Sequence, residues 1–113
     1  MSNHFKIIIP FYNVEKWIRV TINSVKSQEY TDYQCILIDD VSSDNSSRVA
    51  EDCIKGDSRF KLIKNTDKKF VLENLIMGID IASPKSEDII VILDGDDWFS
   101  MKMTLSVLDR EDN

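Results

Sequence analysis

Residues 5–13 read FKIIIPFYN, an apolar run that leads directly into a proline and polar residues. Three consecutive isoleucines are typical of a strand buried on both faces, so we predict a strand over Phe5–Ile9 that ends at Pro10. Asn13 is a residue type that caps helices, and the apolar positions behind it recur at helical spacing. This stretch therefore predicts a buried strand that leads into an amphipathic helix.

The same order of strand and helix repeats along the chain. Further strands are predicted over Gln34–Ile38, Phe60–Ile63 and Ile89–Leu93. Further helices are predicted over Asn45–Ile54, Phe70–Ile81 and Met101–Leu108. This alternation predicts an α/β fold, a Rossmann-like open and mainly parallel sheet with helices on both faces. Because parallel strands end at the same edge, the polar residues after each strand should meet at one rim, where ligands bind.

Composition narrows the class of protein. The chain has 113 residues, 42% of them hydrophobic, and a net charge of −6, which predicts one globular domain and no nucleic-acid partner. No apolar run approaches the length of a membrane span. Cys35 and Cys53 lack metal-type spacing, so we expect reduced thiols in the cytoplasm.

The last predicted strand is followed by Asp94, Asp96 and Asp97, three carboxylates within four positions. Carboxylates without nearby His or Cys suit Mg²⁺ or Mn²⁺, which bridge carboxylates and substrate phosphates. The chain also lacks the glycine-rich loops that cradle phosphates, which favours phosphate binding through a metal. The alternative is that these residues cap the next helix, and Asp97 suits both roles.

Other candidates follow the first three strands. Tyr12 is placed to stack on a nucleobase, although packing against the first helix is an alternative. Asp40 can accept a hydrogen bond from the base, while its neighbour Asp39 should face the opposite way. Turn and cap chemistry is the alternative for this pair. Lys68 and Lys69 can reach phosphates or form a solvated basic loop.

Four segments in order resemble family 2 glycosyltransferases of the GT-A fold. They are Ile7–Glu15, Ser24–Gln28, Ile38–Ser46 and Leu93–Trp98. The resemblance implies that Pro10, Tyr12 and Asn13 belong to the nucleotide loop, with Tyr12 stacking on uracil or another base. It also implies that Asp40 binds the edge of the base and that Asp94 lies near the ribose and metal. Asp96, with Asp97 as its rival, would ligate Mn²⁺ or Mg²⁺ on the diphosphate of a sugar nucleotide.

Two departures from the family pattern affect the site. Val41 replaces the usual glycine, a change that we expect to be minor. Lys68 stands where many members carry glycine and Glu73 where many carry arginine, with Asn74 retained. The usual basic contact is therefore missing, and Lys68 or Lys69 is the candidate to replace it.

The family's catalytic domain is about twice as long as this chain. The resemblance thus implies the nucleotide-binding half alone, with the acceptor site and the catalytic base in the other half. We expect an inverting transfer from a nucleotide-diphospho-sugar, such as a UDP-sugar, to a saccharide or other hydroxyl acceptor. An apolar or sheet-edge surface should be exposed, which favours a homodimer.

Two other functions compete with this one. A signalling receiver domain has a similar size and alternation, but it needs an acidic pair after the first strand, where this chain has Pro-Phe-Tyr-Asn. A non-catalytic half-domain that pairs with another chain is favoured by Glu73 and by the missing base.

Overall fold

A computed structural model describes residues 5–28, 32–85 and 88–93. The strands are β1 (Phe5–Phe11), β2 (Tyr33–Asp39), β3 (Phe60–Lys64) and β4 (Ile89–Ile92). The helices are α1 (Ile18–Lys26), α2 (Ser46–Ile54) and α3 (Phe70–Ala82). The strands form one parallel sheet in the order β3-β2-β1-β4. The predicted Rossmann-like α/β fold is therefore confirmed, while the predicted helix at Met101–Leu108 lies outside the described residues.

The core has two layers, one on each face of the sheet. Ile7 and Ile9 point into the layer that α1 and α2 cover, together with Ile18, Ile22 and Ala50. Ile8, Ile36 and Ile38 point into the opposite layer, under α3. The isoleucine run is thus buried on both faces, as its composition predicts.

The first strand runs past Pro10, which corrects its predicted end. Pro10 pairs with Ile38 of β2, and Phe11 pairs with Asp39. The backbone of Ile8 faces β4, since the Ile8 carbonyl accepts from the Leu93 N–H. The backbone groups of Pro10 point to the same side of β1 as those of Ile8, but β4 ends at Ile92, which pairs with Ile8. The absent N–H of Pro10 therefore removes no hydrogen bond from the described part of the sheet.

Helix α3 lies close to the sheet at Gly78. A Cβ atom built there would come within 2.6 Å of Ile8 Cγ2 and 3.0 Å of Ile38 Cδ1. These are buried atoms of the two central strands, so the absence of a side chain sets how closely α3 approaches them.

Several apolar side chains of the described chain remain exposed. Phe70, Val71, Leu72 and Ile76 on α3 are each at least 60% exposed. This finding agrees with the expected apolar surface. No helix among the described residues is long and apolar enough to cross a membrane.

Candidate functional site

The carboxyl ends of β1, β2 and β3 are joined by backbone hydrogen bonds. The N–H of Asp40 donates to the Phe11 carbonyl at 3.0 Å, and the N–H of Asn65 donates to the Asp39 carbonyl at 3.0 Å. The segments that follow these strands therefore start side by side. The predicted polar clusters after β1 and β2 therefore lie at one edge of the sheet, and the segment after β3 joins them there; the cluster predicted after β4 lies outside the described residues.

Asp40 lies buried at the centre of this rim, 4% exposed. Its Oδ1 accepts from the Lys69 N–H at 2.8 Å and from Asn65 Nδ2 at 3.0 Å, and its Oδ2 accepts from the Phe70 N–H at 2.9 Å. Asn65 Nδ2 also donates to Asn74 Oδ1 at 2.8 Å. Phe70 adopts a φ of +66°, a strained conformation that is held by its hydrogen bond to Asp40. The carboxylate thus organises the whole segment between β3 and α3.

These contacts also set the charge of Asp40. Burial by itself would raise the pKa of this carboxyl group, but hydrogen bonds from Lys69, Asn65, Phe70 and Asn74 outweigh it, and the pKa lies below its ordinary value. Asp40 is therefore a stable anion at neutral pH.

Tyr12 and Asp40 are connected by Lys68. The Lys68 ammonium lies 3.1 Å from the centroid of the Tyr12 ring and 3.6 Å from Asp40 Oδ2. The Tyr12 side chain is 48% exposed, so about half of its surface is open to a ligand. The structure therefore brings three of the predicted nucleotide-binding residues into one cluster, which we call the Tyr12–Lys68–Asp40 cluster.

Asn13 has a different local role from the predicted helix cap. Helix α1 begins at Ile18, and no side chain caps it. Instead Asn13 adopts a φ of +50°, and its Oδ1 accepts from the Ser43 N–H at 2.8 Å. In return the Asn13 N–H donates to Ser42 Oγ at 3.0 Å. Asn13 thus ties the loop after β1 to the loop after β2, and it lies directly beside Tyr12 in the chain.

The two adjacent aspartates at the end of β2 have separate partners. Asp39 Oδ1 accepts from the Ser42 N–H at 2.9 Å and stabilises the turn after β2. Asp40 binds the segment before α3. The turn chemistry considered for this pair is therefore correct for Asp39, whereas Asp40 supports the candidate site.

Val41 has a backbone conformation that suits glycine. Its φ is +64°, the left-handed region, which is an outlier for a β-branched residue. The replacement of the family's glycine is thus less minor than expected.

We predict that Val41→Gly raises the free energy of unfolding by about 1 kcal/mol, because the strain that glycine relieves exceeds the backbone entropy that it adds to the unfolded chain. Urea unfolding would measure this gain, and Val41→Ala, which keeps a Cβ, should give little of it. A loss of stability on Val41→Gly would contradict the prediction.

Acid should destabilise the protein through three aspartates. Besides Asp40, burial of Asp44 is outweighed by hydrogen bonds from Ser46, and the hydrogen bond from Arg59 dominates at Asp57, so both pKa values are lowered. Carboxyl groups with a lowered folded pKa stabilise the fold above their unfolded pKa of about 3.9 and lose this effect as the pH falls toward the folded value. Urea midpoints should therefore be level from pH 7 to pH 5 and decline below about pH 4. A midpoint that rises on acidification would contradict this.

The predicted metal ligands Asp94, Asp96 and Asp97 lie outside the described residues. Asp94 was also predicted to contact the nucleotide, and this prediction lies outside the described residues too. The residue directly before them, Leu93, is described: it is buried, and its N–H donates to the Ile8 carbonyl at 3.0 Å. Within residues 5–28, 32–85 and 88–93, no group of three or more His, Cys, Asp or Glu side chains could hold a metal ion.

Asn74 was noted only as a residue retained from the family pattern, and Asn65 and two backbone N–H groups were not predicted as parts of the site. Asn65, Asn74 and the N–H groups of Lys69 and Phe70 hold Asp40 in place. A signal for Asn65 was present, because it follows β3 directly, as the other candidates follow their strands. Nothing local marks a backbone N–H as a ligand of a distant carboxylate.

A parallel α/β sheet with a polar carboxyl edge defines a Rossmann-like ligand-binding domain. The model of "Glycosyl transferase family 2" matches residues 6–110, and the chain belongs to this family.

A curated relative agrees with this assignment, and solved structures share the fold. The E. coli protein "UDP-Glc:alpha-D-GlcNAc-diphosphoundecaprenol beta-1,3-glucosyltransferase WfgD" is 35% identical over 103 residues, which are 89% of this chain and 38% of WfgD. S. aureus TarS 1-349, solved in complex with UDP-GlcNAc, superposes with a TM-score of 0.79 at 22% identity, over 93% of this chain and 30% of that one. The mannosyltransferase PcManGT from Pyrobaculum calidifontis, solved with GDP-Man and Mn²⁺, superposes with a TM-score of 0.82 at 17% identity, over 99% of this chain and 32% of PcManGT. The two structures share the fold of this chain, which spans about a third of the length of the curated relatives it matches.

Proposed function

We propose that this chain is the donor-binding part of a metal-dependent glycosyltransferase and binds a nucleotide-diphospho-sugar, with a UDP-sugar as the first candidate. The observation that carries the proposal is the Tyr12–Lys68–Asp40 cluster at the carboxyl edge of a parallel sheet. An exposed aromatic ring, a buried anion and a cation meet there, as recognition of a base and a diphosphate requires. The UDP-Glc in the name of WfgD and the UDP-GlcNAc bound to TarS support this donor class.

Each nucleotide contact has a separate proposed role. Tyr12 stacks on the base, and Asp40 accepts from the edge of the base. Pro10 and Asn13 shape the loop that carries Tyr12: Pro10 is buried in β1, and Asn13 fastens the loop to the segment after β2. Lys68 reaches the diphosphate, and Asp94 contacts the ribose.

Asp94, Asp96 and Asp97 are the proposed metal ligands. Their carboxylate oxygens fit Mn²⁺ or Mg²⁺, and the buried Leu93 leads the chain to the same edge as Asp40. When bound, the metal would neutralise charge on the diphosphate leaving group. The Mn²⁺ bound to PcManGT together with GDP-Man supports this assignment.

The proposed reaction inverts the anomeric carbon. An acceptor hydroxyl oxygen attacks that carbon from the face opposite the diphosphate, the bond to the diphosphate oxygen breaks, and a general base takes the hydroxyl proton. We place that base and the acceptor site in the part of the relatives that this chain does not span.

Cys35 and Cys53 are free and buried thiols, which supports a cytoplasmic setting.

Isothermal titration of the chain with UDP, with and without MnCl₂, tests the proposal. We expect UDP to bind only when Mn²⁺ is present, and Asp96→Asn with Asp97→Asn should abolish this metal dependence. Asp88→Asn, which removes one carboxylate directly before β4, should leave it intact. A folded sample that binds neither UDP nor GDP in MnCl₂ would disprove the proposed function.

A second candidate is an assembly half-domain that pairs with another copy of this chain. The four exposed apolar side chains of α3 favour it, since exposed apolar patches mark interaction sites. Sedimentation velocity over a range of concentrations should then show a dimer that Ile76→Glu dissociates. Val20→Glu, at an exposed apolar position on α1, is the control. A monomer at all concentrations would exclude this candidate.

A further inference from the structure

Lys68 occupies the space that a nucleobase needs. Its ammonium lies 3.1 Å from the Tyr12 ring centroid, in direct contact with the face of the ring on which a base would stack. The same ammonium lies 3.6 Å from Asp40 Oδ2. A base that stacks on this face of Tyr12 and contacts Asp40 has to enter between the same two groups. The Lys68 ammonium therefore lies where the proposed function requires a base.

The surroundings of Lys68 make this position favourable without a ligand. A cation over an aromatic face is attracted by the ring, and the buried carboxylate of Asp40 adds a charge of opposite sign. The centroid of the Phe70 ring also lies 5.5 Å from the ammonium. The lysine side chain is 34% exposed and joins the backbone by a flexible stem, so it can leave without moving β1 or β2.

We propose that Lys68 is an internal competitor of the nucleobase. Its ammonium occupies the position of the base on Tyr12 and is displaced when a nucleotide binds. This inference rests on the proposed function. Displacement has a cost for every ligand that carries a base, because the contacts of the ammonium with Tyr12 and Asp40 are lost. Ligands with a diphosphate recover that cost, because the displaced ammonium gains a new anionic partner. The lysine thus selects nucleoside diphosphates over nucleosides.

The substitution Lys68→Met separates these two effects. Methionine keeps the unbranched apolar stem and removes the charge. Titration calorimetry with uridine should show binding about three- to fivefold tighter than in the unaltered chain, since no cation has to be displaced. Titration with UDP in MnCl₂ should show equal or weaker binding, because the diphosphate loses its partner. The two ligands should therefore respond in opposite directions.

Lys61→Met is the matched control, because Lys61 is exposed on β3 and carries the same charge. Both affinities should stay unchanged in this variant, and circular dichroism should show that both variants fold. If Lys68→Met weakens uridine and UDP alike, or leaves uridine unchanged, Lys68 is no competitor and the inference is wrong. If the unaltered chain binds no nucleotide in MnCl₂, the proposed function itself fails and this inference fails with it.

Discussion

Asp40→Asn is expected to lower the free energy of unfolding by about 3 kcal/mol, the largest effect of any single polar replacement considered for this chain. Both oxygens of Asp40 accept from backbone N–H groups, Oδ1 from Lys69 and Oδ2 from Phe70. An asparagine supplies one oxygen and one NH₂ group, so one of these donors would face another donor. The negative charge near Lys68 is lost as well. Urea unfolding followed by far-UV circular dichroism at pH 7 measures the change.

Asp39→Asn is the matched control for this prediction. Asp39 is the adjacent residue and is equally buried, but its contact from the Ser42 N–H uses a single oxygen. The amide oxygen of asparagine can replace that acceptor, so we expect a loss below about 1 kcal/mol. Equal losses in the two variants would show that burial of charge, and not the two-sided acceptor role of Asp40, governs stability here.

Gly78→Val is expected to lower the free energy of unfolding by about 3 kcal/mol through overpacking. The added Cβ would lie 2.6 Å from Ile8 Cγ2, and the two methyl groups of valine extend further toward the sheet. Ile8 is fully buried in a central strand and cannot move aside without shifting β1. Gly78→Ala should cost less, about 1 kcal/mol, because the gain in helix propensity offsets part of the clash.

A double-mutant cycle with Ile8→Ala tests whether this contact is the cause. Ile8→Ala removes Cγ2 and opens space under α3, so Gly78→Val should cost less in that background than alone. Additive losses would contradict the proposed clash. Thermal unfolding of the unaltered chain, the two single variants and the double variant gives the cost of Gly78→Val with and without Ile8→Ala.

The arrangement of strands and helices could be predicted from local sequence because each element carries its own pattern. The isoleucine run of β1 has no polar face, which only a strand covered on both sides can satisfy. The end of β1 could not be predicted from Pro10, since the cost of a proline depends on which neighbour its missing N–H faces. The cap assigned to Asn13 failed for a similar reason. Its side chain found backbone donors in the loop after β2, 30 residues away.

The candidate site could be predicted in part. Tyr12 and Asp40 follow strand ends, and parallel strands place their carboxyl ends at one edge, so their meeting follows from topology. Lys68 was identified by its charge, but its position on the Tyr12 ring was not, because a flexible side chain takes its place only among its folded neighbours. The strain at Val41 was also hidden, since a residue's φ is set by the turn that contains it.

The amino-acid sequence by itself determined the class of fold and the edge of the sheet at which the candidate site lies, and it predicted the residues that we propose to bind a nucleotide. These depend on hydrophobic periodicity and on the chain order of strands, which are local properties. Only the tertiary structure decided that Asp40 is held by Asn65 and the backbone before α3, and that Lys68 covers Tyr12. Such contacts join residues that are 25 to 30 positions apart for Asp40, and their partners exist only after the sheet has formed.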